Sequence, residues 1–141
     1  MGHEEDFHKI YKRNTPWWRV INAEFELIEP YHRFIGLFGY EYEDEYVCLC
    51  KNGYLIIKPN FRWGASGLTI DNKSTREASL VHDALYHLSD TGLFSGKKSE
   101  EIRGFSDSLL YKILIENGTW SVRAKMWLYA VDTFGDSYWE S

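Results

Sequence analysis

Apolar residues alternate with polar ones along the first half of the chain and recur at every third or fourth position along the second. From Trp17, the run WWRVINAEFELIE sets Ile21, Ala23, Phe25 and Leu27 at alternate positions. That is the pattern of a strand with one buried face. YHRFIGLFGY is aromatic and broken by Gly36 and Gly39, so it reads as a bulged strand or a loop over the core. DEYVCLCKNGYLIIKP gives the clearest hairpin signal: two β-rich runs flank Asn52-Gly53, a dipeptide suited to positive φ in a tight turn, and Pro59 closes the second run. NFRWGASGLTIDNK is rich in small residues and turn formers and reads as a structured loop.

The period then changes. STRE at residues 74–77 has the form of a capping box, in which the Ser74 hydroxyl takes a first-turn N–H and Glu77 reaches back. The helix it opens runs through Leu88, with Ala78, Val81, Leu85 and Leu88 as its apolar stripe. A second helix is expected from about Ser99 to Glu116, with Ile102, Phe105, Leu109, Ile113 and Leu110 inward and Asn117-Gly118 as its stop. A third covers roughly Ser121 to Phe134 and ends at Gly135. Residues 1–16 are charged and read as an arm or short helix closed by Pro16. Strands over about 17–62 followed by helices over about 75–135 predict an α+β fold in one domain, 17–141: a small antiparallel sheet, then three helices.

The chain has 141 residues, 44% of them hydrophobic and 17% aromatic, ample for a packed core. A formal net charge of −5 argues against nucleic acid as the main partner. The start of the sequence is polar throughout, unlike a signal peptide, and no stretch reaches membrane-spanning length. Cys48 and Cys50 in YVCLC share one face of a strand, where a disulfide has poor geometry. Reduced thiols suit an intracellular setting, and packing is the simplest role for the pair.

Candidate chemistry gathers on the first helix. Ser79, His82, Asp83 and Tyr86 stand at i, i+3, i+4 and i+7, along the edge of the apolar stripe. A group there is half-buried and open to a shifted pKa. On the second helix Arg103 and Asp107 are four apart beside the Ile102–Leu109 stripe. Antiparallel packing would bring Asp107 to His82. A carboxylate on one ring nitrogen fixes the tautomer and leaves the other nitrogen to take a proton from water. Asp83, turned to the other side, is then placed to hold a metal or a substrate group. Oxygen ligands of this kind, with carbonyls of the RWGASG loop, would suit Ca²⁺. The simpler alternative is a polar clasp in which His82, Asp83, Tyr86 and Asp107 tie the two helices together. A metal phosphohydrolase of the His-Asp type would need further ligands, and His3, His8, His32 and His87 do not fall in that pattern.

NFRWGASG, STREASLVHDALYH, RGFSDSLLYKILIENG and RAKMWLYAVDTFG, in that order over roughly residues 45–136, resemble the phage and prophage family called domain of unknown function 1353. Trp63 stands where that family has a loop Asp, and the family's loop Pro is missing. The resemblance implies a phage- or prophage-encoded protein located in the host cytoplasm or the virion. Its partners would be a virion component or a host protein.

The His82-Asp83-x-x-Tyr86 helix, followed by a helix carrying Asp107, is also similar to secreted calcium-dependent phospholipases of the A2 class. That similarity implies hydrolysis of a lipid or other ester. His82 would be the base, Asp107 and Tyr86 would orient it, and Asp83 would bind Ca²⁺ with carbonyls of the Gly64 to Gly67 loop, Gly64 and Ser66 among them. Arg62, Trp63 and Arg103 are the candidate substrate contacts. The disulfides typical of those secreted enzymes are absent. Two function classes follow: an ester hydrolase, or a non-catalytic virion or accessory protein that binds a host protein or ligand, in which the His-Asp pair is structural.

Overall fold

The computed structural model describes residues 17–22, 24–64, 73–94, 96–118, 124–126 and 128–129. The arm at 1–16 and most of the third predicted helix, Gly135 included, lie outside the described residues. Strands fill the first half and helices the second, so the α+β expectation holds. The chain divides into two compact units, Met1–Gly64 and Ala65–Ser141.

The first unit holds two antiparallel sheets. One has the order β1-β2-β7, from β1 (Trp18–Ile21), β2 (Glu24–Leu27) and β7 (Arg62–Trp63). The other has the order β3-β6-β5-β4, from β3 (Tyr31–Phe34), β4 (Tyr42–Glu43), β5 (Val47–Leu49) and β6 (Tyr54–Ile57). The single strand expected from Trp17 to Leu27 is in fact a hairpin. Ile21 pairs with Glu24, and Asn22 takes φ +52° to reverse the chain. Alternation over that run was a sound strand signal, but Asn in a left-handed conformation folds it in two.

The β5–β6 hairpin lies where Asn52-Gly53 predicts it, with a different turn. Of the two residues, only Gly53 has positive φ (+92°). Gly53 N–H donates to the Cys50 carbonyl at 3.0 Å, and Cys50 N–H donates to that of Tyr54 at 2.9 Å. Three residues therefore span the turn, with Gly53 as its left-handed last member.

In the first sheet the register sets Arg19, Glu26 and Arg62 side by side across three strands. The Glu26 carboxylate accepts from Arg19 Nε at 2.7 Å and from Arg62 Nε at 3.1 Å. The Arg19 hydrogen bond leads in holding the Glu26 carboxyl below its ordinary range, against the opposing pull of burial, and Arg62 adds to it. Trp63 is buried, with its ring stacked 6.0 Å from Trp17 and tilted against Phe25.

The second unit is built on α1 (Lys73–Asp90) and α2 (Gly96–Glu116). Helical backbone resumes at residues 124–126 and 128–129, inside the third predicted helix. Ala78, Val81, Leu85 and Leu88 of α1 are buried, as are Ile102, Leu109, Leu110 and Ile113 of α2; Phe105 is only partly so. α1 begins one residue ahead of the expected cap, so Ser74 is already helical. Glu77, expected to reach back to the first turn, accepts from Asn117 Nδ2 at 2.9 Å. Gly118, at φ +89°, ends α2 as expected. Residues 82 and 86 of α1 meet 107 and 103 of α2, and Glu77 meets Asn117 just past the end of α2, so the two helices run antiparallel.

Candidate functional site

The antiparallel pairing puts the polar edge of α1 onto α2. His82 Nε2–H donates to Asp107 Oδ1 at 2.7 Å. The Tyr86 hydroxyl, one turn along α1, donates to the same oxygen at 3.3 Å. His82 and Tyr86 are four apart, which stacks their rings with centroids 4.3 Å apart and 34° between planes. Arg103, one turn before Asp107, hydrogen-bonds Tyr86. His82 is 8% exposed and Asp107 2%, so this network works with little solvent screening.

Asp83 follows His82 and leans toward the other ring nitrogen. Its Oδ1 is 3.9 Å from His82 Nδ1, too far for a hydrogen bond, so it acts there as a nearby charge. Burial is the largest influence on the imidazole and pushes its pKa down. Asp107, then Asp83, outweigh burial and raise it above the ordinary 6.5. The Tyr86 hydroxyl is pushed up to about 12, by burial first and then by the Asp107 charge, and so stays a donor at neutral pH.

With the imidazole neutral and its Nε2–H donated to Asp107, Nδ1 carries the lone pair. The arrangement can therefore hold one tautomer and present a basic nitrogen beside Asp83. Asp107 Oδ2 and the neighbouring Ser106 Oγ are buried without a hydrogen-bond partner among the described residues. Ser106 carried no signal in the sequence, because a serine next to an aspartate has no spacing that marks it.

Arg62 and Trp63 form β7 in the first unit, and Gly64 follows them. Arg62 is held by Glu26 and Trp63 lies in the aromatic cluster. Ser66, with Ala65 and Gly67, is outside the described residues. Among the described residues, no group of three or more His, Cys, Asp and Glu side chains is placed to hold a metal ion, and no helix is long and apolar enough to cross a membrane. Comparison of the chain with protein-family models, with curated proteins and with solved structures finds no match.

Proposed function

We propose that the second unit carries a hydrolytic site for an ester, with His82 as general base and Asp107 and Tyr86 as the groups that orient it. The observation that carries this reading is the 2.7 Å bond from His82 Nε2 to Asp107, with Tyr86 on the same oxygen. It commits one nitrogen and leaves Nδ1 for chemistry. In the reaction, Nδ1 takes a proton from water as the water oxygen attacks the ester carbonyl. The carbonyl–alkoxy bond then breaks, and the imidazolium returns that proton to the leaving alkoxide. The positive charge that forms on the imidazolium is offset by the Asp107 carboxylate on Nε2.

The similarity to A2-class phospholipases supports this assignment and implies calcium. Asp83 fits as one oxygen donor. Calcium takes six to eight, and the further donors that the similarity implies are carbonyls of residues 64–67, of which 65–67 lie outside the described residues. No step here depends on the ion. The test is a panel of phospholipid and short-chain esters offered to wild type and to His82→Ala, with and without Ca²⁺. Turnover lost in His82→Ala, with the fold retained, supports the proposal. Absence of turnover on every ester in either condition overturns it.

The second reading is a non-catalytic virion or accessory protein of phage origin that binds a host protein, with His82, Tyr86 and Asp107 as a clasp. Phe34 and Phe38, 43% and 61% exposed with ring centroids 5.9 Å apart, favour it by offering an apolar contact. On that reading His82→Ala lowers the melting temperature and removes no activity.

A further inference from the structure

The outer face of the second sheet carries a pair of thiols that neither reading above uses. Cys48 lies on β5 and Cys50 just beyond it, so their side chains leave the same face of the strand. Both are free and half-buried, and their sulfurs are 3.8 Å apart. A disulfide needs about 2.05 Å between sulfurs, so closing one would require the strand to distort. A bound metal needs no such movement. With a zinc–sulfur distance of about 2.3 Å, two thiolates on adjacent corners of a tetrahedron sit about 3.8 Å apart. The strand already holds the sulfurs at the edge length of that tetrahedron.

We propose that Cys48 and Cys50 form a two-thiolate chelate for a soft divalent cation of the Zn²⁺ and Cd²⁺ class. Soft thiolate ligands select such ions over calcium or magnesium. Solvent fills the remaining positions. Glu43 pairs with Cys48 across β4 and β5, so it lies beside the site, but Lys58 Nζ holds its carboxylate at 2.6 Å. The Cys48 thiol is pushed up to about 11, by burial first and then by its hydrogen bond with Cys50. Without metal it is therefore protonated at neutral pH, and binding must release that proton.

The test is titration of the reduced full chain with Cd²⁺, read by the ultraviolet charge-transfer absorption of a cadmium thiolate. Competition for Zn²⁺ against a chromogenic chelator accompanies it. The expected result is one cation per chain, with binding that weakens as pH falls. Cys48→Ser and Cys50→Ser, checked for an unchanged melt, should each lose at least the roughly tenfold that removal of even an outer partner of a metal ligand costs. Absence of the band in wild type overturns the proposal, and so does a band undiminished in both variants. In either case the sulfurs are merely packed.

Discussion

At the scale of single residues, the centre of the account is Asp107. Its Oδ1 accepts from both His82 and Tyr86 in a buried setting. Asp107→Ala leaves the buried His82 and the partly buried Tyr86 without their acceptor and should cost roughly 1–3 kcal/mol, measured by chemical denaturation. His82 adds a pH signature whose sign is fixed. Its folded pKa lies above 6.5, so its pairing contributes stability that is complete below about 6.5 and is lost as pH rises through the folded value. The difference in melting temperature between wild type and His82→Gln should therefore shrink on the alkaline side of 6.5. A difference that grows there would show that burial dominates and that His82 is held neutral. The helix spacing made His82, Asp83, Tyr86, Arg103 and Asp107 legible as one group. It could not show that Tyr86 shares an oxygen with His82, nor that Arg103 turns to Tyr86, because those depend on side-chain torsions that spacing does not encode.

At the scale of elements, periodicity located the helices and most strands, while turns were harder to read. The stripe residues of α1 are all buried, because a 3.6-residue repeat leaves them one face to occupy. The run from Trp17 to Leu27 misled, because alternation continues through a reversal at which Asn22 is left-handed. The Asn52-Gly53 signal placed a hairpin correctly and its turn incorrectly, since the conformation rests on Gly53 and not on both residues. The substitution Gly53→Ala tests that point. A Cβ there would meet the Phe34 ring at 2.8 Å and would sit on a left-handed backbone. The backbone alone costs about 1–2 kcal/mol. The expected loss is at least that, read as a lower urea midpoint, whereas an unchanged midpoint would mean that the turn relaxes to another form. Asn52→Ala should cost less, because Asn52 has no positive φ to lose.

At the scale of the whole molecule, the strands-then-helices order was legible because the hydrophobic period changes once, near residue 70. Resemblance placed Arg62, Trp63, Gly64 and Ser66 in one site with His82; the described partners of Arg62 and Trp63, Glu26 and Trp17, belong to the first unit. Sequence order alone did not reveal that Glu26, thirty-six residues before Arg62, would be the group that holds it.

The general-base role of His82 is tested most directly by the pH dependence of ester hydrolysis in wild type, Asp107→Asn and His82→Gln. In wild type the rate should rise with pH through a single ionisation above 6.5, because the base works only when neutral and its carboxylate neighbours delay that state. Asp107→Asn removes the larger of the two influences that raise the imidazole, so the ionisation should move to lower pH while the maximal rate falls. His82→Gln should abolish the limb altogether. A limb that stays in place in Asp107→Asn, or hydrolysis that survives in folded His82→Gln, would contradict the account and leave the three residues as a bond between two helices.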